Sequence, residues 1–254
     1  MEAIVLAGGL GTRLRDVVRD VPKPMALICG RPFLEHLLDY WIKQGIRSFI
    51  LAVGYRHKMI QAHFGDRYGQ AKIKYSVEKK PLGTGGGLFQ AVRHYKTGRN
   101  LLVLNGDTFF EVSLRDLKKF HDLRKADLTL ALASHHGEDR YERIQLDPDG
   151  RIAGLKQRGC GTRAGWINGG VYLFRTSLIK ALIPPPLSPT CRQAGPPGLR
   201  GRNGGGYVSL ENEILPRLIG SSKKVFGFHA SGRFIDIGTP ASYKAAGKFL
   251  KESE

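Results

Sequence analysis

The first half of the chain divides into apolar and amphipathic segments in a regular order. Uninterrupted apolar runs at residues 3–6, Ser48–Val53 and 101–104 predict strands that are buried on both faces. Between them, residues 32–42 and His57–Phe64 carry apolar side chains at helical spacing. Buried strands separated by helices predict a mostly parallel sheet that is covered on both faces.

The rest of the chain predicts strands and helices in a less regular order. Further strands are expected at residues 72–77, 128–133, Arg143–Leu146, 166–174, Val225–His229 and 233–237. Further helices are expected at residues 113–125, 177–183, 209–219 and 240–250, the first and third capped by Ser113 and Ser209. We therefore expect an α/β fold, a Rossmann-like three-layer αβα sandwich with a mostly parallel mixed sheet.

A glycine-rich stretch follows the first predicted strand. Gly8, Gly9 and Gly11 let the backbone turn sharply and approach a ligand closely, because no Cβ is in the way. Their N–H groups can then point at phosphate oxygens, and Arg13 adds a forked set of donors that suits phosphate. Further on, Lys23 places a second cation between two prolines. Taken alone, the stretch also fits an ordinary strand-to-helix turn with a surface arginine.

The run Gly8-Gly9-Leu10-Gly11-Thr12-Arg13-Leu14, with Pro22-Lys23-Pro24-Met25, resembles the signature of the sugar-1-phosphate nucleotidyltransferases, the nucleotide-sugar pyrophosphorylases. In that family the glycine loop wraps a nucleoside triphosphate, the arginine contacts its phosphates, and the lysine neutralises phosphate charge. The resemblance implies a GT-A-like nucleotidyltransferase fold and catalytic roles for Arg13 and Lys23. It also implies nucleotide binding by Leu6, Ala7, Gly8, Gly9, Gly11, Thr12, Arg13 and Lys23.

Two aspartates far apart in the sequence are candidate metal ligands. Asp107 follows an apolar strand and can present its carboxylate to a cleft, and Asp236 lies between two isoleucines, where burial without a cation or donors is costly. Each could instead be a turn or helix-cap aspartate. The resemblance implies that both are catalytic and bind Mg²⁺, a cation that prefers hard oxygen ligands. Their convergence in the fold is the test.

Residues 82–87 read Leu-Gly-Thr-Gly-Gly-Gly and are expected to open a helix that extends to residue 95. The glycines could form a second phosphate loop or a platform for a flat ring, or only a helix-entry turn. In the family a similar segment, commonly ending in Ala where this chain has Gly87, contacts the nucleobase through backbone groups. The resemblance therefore implies nucleotide binding by Gly83 and Thr84, and by Asn105 and Gly106.

The sugar site is expected around Asn168 and Gly169, since in the family this strand meets the sugar hydroxyls. Two glycines in a strand could equally mark a plain bulge. The family's Tyr-Gly pair reads Tyr-Glu here, at Tyr141, and its Glu-Lys pair reads Leu-Lys, at Lys156, so that the acid is missing. The resemblance assigns Tyr141 and Lys156 to the sugar, with Lys156 or Arg158 neutralising its phosphate.

The charge of the chain is strongly basic. The 254 residues carry 40 Lys and Arg against 22 Asp and Glu, a formal net charge of +18. Nucleic-acid binding is one explanation, but such proteins usually interleave basic residues with exposed aromatics, and here Trp166, Tyr172 and Phe174 fall in a predicted strand. A basic rim around a phosphate-handling site explains the same charge, so no nucleic-acid partner is expected.

The cysteines and the apolar runs indicate where the protein works. Cys29, Cys160 and Cys191 are too far apart in the sequence for a zinc pattern and are expected to be free thiols. No apolar run approaches the ~20 residues that span a bilayer, and the chain begins directly with a strand rather than a signal peptide. We expect a cytoplasmic protein with no membrane partner.

The domain organisation expected from the sequence is one nucleotidyltransferase domain over residues 1–254. A nucleotide-binding lobe would extend to about residue 110 and a sugar-binding lobe would cover residues 111–254. Residues 184–206 carry six prolines and six glycines, a composition typical of a flexible or disordered insertion.

The activity implied by the resemblance joins GTP to a sugar 1-phosphate, giving a GDP-sugar and pyrophosphate with Mg²⁺ as cofactor. Residues 82–87, 105–110 and 167–172 look most like the D-glycero-D-manno-heptose 1-phosphate guanylyltransferase branch, which supplies capsule or lipopolysaccharide precursors. Mannose-1-phosphate guanylyltransferases or other nucleotide-sugar pyrophosphorylases are alternatives, and a homodimer is a further expectation. A non-catalytic regulatory homologue or a basic nucleic-acid-binding protein would be a different class.

Overall fold

The computed structural model of the protein describes residues 1–9, 14, 18, 20–96, 98–135, 141–156, 165–183 and 206–251. Expectations for several residues lie outside these ranges: Gly11, Thr12, Arg13, Arg158, Cys160, Cys191 and residues 184–205. For Lys156 the backbone is described and the side chain is not. What the sequence predicts of these groups stays a prediction.

The described residues form strands and helices close to the expected bounds. The strands are β1 (Glu2–Ala7), β2 (Leu27–Ile28), β3 (Arg31–Pro32), β4 (Ser48–Val53), β5 (Arg67–Tyr68), β6 (Ala71–Val77), β7 (Asn100–Asn105), β8 (Thr108–Phe110), β9 (Leu128–His135), β10 (Arg143–Leu146), β11 (Ile152–Lys156), β12 (Gly165–Arg175), β13 (Val225–His229) and β14 (Phe234–Asp236). The α-helices are α1 (Phe33–Lys43), α2 (His57–Phe64), α3 (Gly83–Val92), α4 (Leu114–Leu123), α5 (Thr176–Leu182), α6 (Leu215–Ile219) and α7 (Pro240–Lys251). A 3₁₀ turn, Lys23–Met25, and a π-helical turn, Leu210–Ile214, complete the described elements.

The main sheet is mixed and extends through both halves of the chain. Its order is β11-β10-β12-β7-β1-β4-β6-β5, with β9 paired to β12 and β13 paired to β9. Strands β7, β1, β4 and β6 run parallel in its centre, where the uninterrupted apolar runs lie. Strand β12 joins β7 in antiparallel orientation, so the second half of the chain continues the same sheet. The expected α/β architecture is confirmed.

Alternate residues of the central strands face two separate apolar layers. Ala3 and Val5 of β1 pack in the layer that contains Trp41 of α1, whereas Ile4 packs in the layer that contains Leu88 of α3. All of these residues are buried. Helices on both faces of the sheet explain why its strands need no polar side.

A small second sheet lies at the carboxyl edge of the main one. Strands β8 and β14 pair in antiparallel register, with Asp236 opposite Thr108. Phe109 and Ile235 of this pair are buried against Ala246 of α7. The sequence analysis predicted a strand at residues 233–237, which contains β14, and did not predict β8. Strands of three residues are too short to produce a periodic signal of their own.

Local structure differs from expectation in two helices. The helix that residues 82–87 were expected to open does begin at Gly83, but it ends at Val92 and not at residue 95. The segment expected to be a plain helix from Ser209 opens with a π-helical turn, a form often found at functional sites. Ser113 and Ser209 do cap their helices. Within the described residues no helix has the length and apolar character required to cross a membrane.

Candidate functional site

The ends of β1 and β7 and the start of α3 surround a cavity of about 490 Å³, called here the first cavity. Residues 6–9, at the end of β1 and just beyond it, line this cavity, and Gly83 and Thr84 line it from α3. The carboxyl ends of parallel strands are where α/β sheets bind ligands. The floor of the cavity holds Asn105 and Asp107.

The turn that carries Asp107 depends on Gly106. The Gly106 N–H donates to the Leu6 carbonyl at 2.9 Å, which ties the end of β7 to the end of β1. A Cβ on Gly106 would lie 2.8 Å from that carbonyl oxygen, closer than real Cβ atoms approach. Gly106 is therefore required for the backbone contact that positions Asp107, and it does not itself line the cavity.

Lys23 and Asp107 form an ion pair on this floor. The Lys23 Nζ lies 2.5 Å from Asp107 Oδ2, with the lysine side chain 14% exposed and the aspartate side chain 41% exposed. Burial raises the pKa of Asp107, but the Lys23 ammonium lowers it more, so the pKa lies below its ordinary value. The 3₁₀ turn, closed by Met25 N–H to Pro22 O at 2.7 Å, fixes the lysine backbone.

Asp236 converges on the same point from the far end of the sequence. The Ile237 N–H donates to the Asp107 carbonyl at 3.0 Å, so β14 brings the two aspartates to adjacent positions. Asp236 Oδ1 accepts from the Gly238 N–H at 2.6 Å, and its Oδ2 accepts from the Tyr141 hydroxyl. The convergence that the sequence required is confirmed, and Tyr141 contacts the aspartate rather than standing apart from it.

A second cavity of about 290 Å³ adjoins the first. Tyr141, Asn168 and Asp236 line it, and Lys23, Asn105 and Asp107 line both cavities. The Asn168 amide donates to the Tyr172 hydroxyl at 2.7 Å. Asn105 lines both cavities, and its buried Oδ1 has no hydrogen-bond partner among the described residues.

Glu211, on the π-helical turn, also lines both cavities and was missed by the sequence analysis. Its carboxylate accepts from Thr84 Oγ1 at 2.6 Å and from the Tyr172 hydroxyl at 3.4 Å. Burial raises the pKa of Tyr172 well above its ordinary value, and the Glu211 charge adds to that shift, so the phenol stays a donor. Thr84 in the first cavity is thereby linked to Asn168 in the second.

The glycines of α3 have two roles. Some allow close packing against another segment of the chain, and others line the first cavity. The N–H groups of Gly85 and Gly86 donate to the Val208 carbonyl at 2.9 and 3.2 Å. A Cβ on Gly85 would lie 2.6 Å from the Ile214 side chain. These two N–H groups are therefore used within the protein, and only the edge of the run that contains Gly83, Thr84 and Gly87 faces the first cavity.

Glu78 is a further residue that the sequence analysis missed. It follows β6 and lines the first cavity, where its Oε1 occupies space that side chains at Gly8 and Gly87 would fill. Burial raises its pKa, and the hydrogen bond from the Leu82 N–H at 3.0 Å offsets part of this shift. A carboxylate directly after a parallel strand is the signal that identified Asp107, and it applied here too.

Gly169 lies away from both cavities. It is buried, and a Cβ there would lie 2.4 Å from the Phe110 ring. The register between β12 and β9 shifts between Asn168 and Tyr172, which makes the glycine pair a bulge. Of the residues assigned to the sugar, the structure therefore places Asn168 and Tyr141 in the second cavity, and not Gly169.

The donor set at the junction fits a hard divalent cation. Two carboxylates, Asp107 and Asp236, face one cavity next to an open space for phosphate, a usual arrangement for Mg²⁺. Within the described ranges no three His, Cys, Asp or Glu side chains gather into a complete metal cage. A cation held here would need water or substrate oxygens for its remaining ligands.

Comparison with known proteins gives a consistent result. Residues 2–194 match the family described as nucleotidyl transferase. A D-glycero-alpha-D-manno-heptose 1-phosphate guanylyltransferase from Aneurinibacillus thermoaerophilus is 41% identical over 251 residues, 99% of either chain. A mannose-1-phosphate guanylyltransferase from Mycobacterium tuberculosis is 32% identical over 96% of this chain and 62% of its own. HddC from Yersinia pseudotuberculosis complexed with GMP-PN has a TM-score of 0.79 at 28% identity, covering 98% and 99% of the two chains.

Proposed function

This chain belongs to the nucleotidyl transferase family, and from that premise we propose that it is a guanylyltransferase that acts on a sugar 1-phosphate. The substrates would be GTP and D-glycero-α-D-manno-heptose 1-phosphate, and the products GDP-heptose and pyrophosphate. The observation that carries the proposal is the pair of adjoining cavities that share Lys23, Asn105 and Asp107. Two phosphorylated substrates can meet at such a junction.

The reaction we propose is an in-line displacement at the α-phosphorus of GTP. An oxygen of the sugar phosphate forms the new P–O bond, the bond between the α-phosphorus and the bridging oxygen breaks, and pyrophosphate leaves. Both reactants are polyanions, so the protein must align them and offset their charge rather than supply a nucleophile. Lys23 does so at the junction, and Arg13 is proposed to do so at the triphosphate.

A divalent cation, which we propose is Mg²⁺, would be held by Asp107 and Asp236 and would supply further charge neutralisation between phosphates. The Lys23 ammonium donates to one oxygen of Asp107. The lysine can exchange this contact for a phosphate oxygen when substrates bind, since both partners are anionic. Gly238 and Tyr141 hold the Asp236 carboxylate in position meanwhile.

Glu78 is proposed to select guanine. Its carboxylate faces the cavity next to Gly8 and can accept hydrogen bonds from the N1–H and the 2-amino group of guanine. Adenine presents an acceptor at N1 and lacks the 2-amino group, so its edge would repel the carboxylate. The base therefore would be read by one half-buried carboxylate rather than by the backbone of Gly85 and Gly86.

The second cavity is proposed to hold the sugar. Asn168, Tyr141 and Lys156 are proposed to contact the sugar or its phosphate, and Asn105, which lines both cavities, is proposed to bind the nucleotide. We propose a nucleotide lobe over residues 1–110 and a sugar lobe over 111–254, with Glu211 reaching back to the first cavity. A cytoplasmic homodimer that supplies capsule or lipopolysaccharide precursors completes the proposal.

Pyrophosphate release tests this function directly. The wild-type protein is assayed with each of four nucleoside triphosphates against the 1-phosphates of D-glycero-α-D-manno-heptose, mannose and glucose. The highest kcat/KM is expected for GTP with the heptose. A preference for mannose 1-phosphate would favour the second candidate, to which the relative from Mycobacterium tuberculosis points. If no pair of substrates releases pyrophosphate and the protein binds duplex DNA in a salt-sensitive manner, the proposed enzymatic function is wrong and the protein is a nucleic-acid-binding protein.

A further inference from the structure

Tyr207 stands at the rim of the first cavity in a segment that no motif indicated. It precedes Val208, whose N–H donates to the Leu82 carbonyl at 2.8 Å and whose carbonyl accepts from Gly85 and Gly86. Three backbone hydrogen bonds next to Tyr207 therefore fix where its side chain begins. A side chain attached to such a fixed point is organised before a ligand arrives.

The Tyr207 ring is unusually exposed for a residue in a cavity wall. It is 51% exposed, and among the described residues that line the first cavity it is the aromatic one. The ring packs on Gly83, where a Cβ would lie 3.1 Å from Tyr207 Cε1. An exposed aromatic face at the border of the first cavity has apolar surface that a ligand could cover.

We propose that Tyr207 is a stacking platform for the nucleobase, a nucleotide-binding residue that supplies a flat face beside the edge contact at Glu78. The inference rests on the proposed function, since it needs a nucleotide in the first cavity. Gly8 and Gly87 leave space for the Glu78 carboxylate, and Glu78 and Tyr207 both line the first cavity, where a planar ring would contact the carboxylate by its edge and the tyrosine by its face. Tyr207 lines the first cavity and not the second, which assigns it to the base rather than to the sugar.

The physical basis of stacking predicts how substitutions of Tyr207 should change the Kd for GTP. Base stacking on an aromatic ring depends on the π-face and tolerates loss of the hydroxyl. We expect Tyr207→Ala to raise the Kd for GTP about tenfold, a loss within the range known for removing one stacking side chain. Tyr207→Phe is expected to stay within about twofold of the wild type, because the ring remains.

The experiment compares the affinity for a nucleotide with the affinity for a triphosphate that carries no base. The Kd for GTP and the Kd for inorganic tripolyphosphate are measured by calorimetry for wild type, Tyr207→Ala and Tyr207→Phe. Leu123→Ala is the matched control, since Leu123 is a 74% exposed apolar residue on α4 that lines neither cavity. Only GTP binding to Tyr207→Ala should weaken, and tripolyphosphate should bind all four proteins equally.

Two results would overturn the platform. One is unchanged GTP affinity in Tyr207→Ala, and the other is an equal loss for GTP and tripolyphosphate, which would indicate a disturbed phosphate site. The proposed guanylyltransferase would survive either result, because wild-type turnover tests it separately. If wild type prefers a different nucleoside triphosphate, the same series is run with that nucleotide, since every base has a face to stack.

Discussion

The two cavities are built in different ways. The first is shaped mainly by backbone, from two short glycine-rich stretches at residues 6–9 and 83–87, with Glu78 inserted between them. The second is shaped by side chains that come from distant elements, among them Tyr141, Asn168 and Asp236. A backbone site fits groups that all substrates share, such as phosphate, whereas a side-chain site can change its selectivity by substitution. We infer that substitutions change substrate selectivity less readily in the first cavity, proposed for the nucleotide, than in the second cavity, proposed for the sugar.

The largest effects are expected from residues that line both cavities, because a substitution there should impair both substrate sites at once. Lys23→Ala and Asp107→Asn are each expected to lower kcat by about 10²–10³-fold, the usual loss for removing one organised charge-stabilising group. Steady-state kinetics with both substrates saturating measures this. Lys58→Ala on α2 is the control, because Lys58 is exposed and lines neither cavity. Near-wild-type turnover in a folded variant would remove that residue from the proposed mechanism.

A change at Glu78 should act on the nucleotide side alone. Glu78→Gln replaces one of two acceptors with a donor that faces the guanine edge, and we expect the KM for GTP to rise about 10–100-fold. The KM for the sugar 1-phosphate should not change. Kinetics with GTP and ATP for both proteins checks this, and the ratio of their kcat/KM values should fall. Equal loss for both nucleotides would show that Glu78 supports the fold and not base selection.

A methyl group at Gly238 should disturb the junction through Asp236. A Cβ there would lie 2.6 Å from Asp236 Oδ1, so Gly238→Ala must displace the carboxylate, and we expect about a tenfold loss of kcat. Binding of Mn²⁺, followed by electron paramagnetic resonance, should weaken in parallel. Gly247→Ala on α7 is the matched control, since a Cβ there meets nothing within 4 Å and should only favour the helix. Unchanged Mn²⁺ affinity would contradict a metal role for Asp236.

A change at Asn168 should act on the sugar side alone. Asn168→Ala removes the donor to Tyr172 and the acceptor for the Gly170 N–H at 3.0 Å, and we expect the KM for the sugar 1-phosphate to rise about fivefold. Thermal unfolding of the same variant reports any loss of the bulge. A larger effect on GTP than on the sugar phosphate would mean that the two sides are coupled through Glu211.

The pH dependence should separate two of the three carboxylates that, among the described residues, line the first cavity, Glu78 and Asp107. Burial raises the pKa of Glu78, so as pH falls this group takes up a proton before an ordinary glutamate does and loses an acceptor for guanine. The KM for GTP should then rise by a few fold toward acid pH in the wild type. Asp107, whose pKa is lowered beside Lys23, stays ionised over the same range. The KM for GTP of Glu78→Gln should not rise toward acid pH. If it still rises, a group other than Glu78 causes the pH dependence.

The order of the main strands and helices and the place of the glycine-rich backbone were accessible from the sequence, because each is encoded by a contiguous pattern, an apolar run or a glycine cluster. The convergence of Asp107 with Asp236 was implied by the family resemblance and not by any such pattern. Glu211 and Tyr207 were not accessible, because neither belongs to a contiguous pattern that indicates a ligand. The use of Gly85 and Gly86 also could not be foreseen, since their partner Val208 is remote in sequence.

By itself the sequence determined that this protein has a central parallel sheet with glycine-rich turns at its carboxyl edge, because strand burial and glycine turns are local properties of the chain. Only the tertiary structure decided which side chains share a cavity. Lys23, Asp107 and Asp236 meet because β8 and β14 pair across the edge of the main sheet, and Glu211 joins them because Val208 binds the glycines of α3. Such contacts depend on packing between distant segments, and no periodic pattern of residues records them.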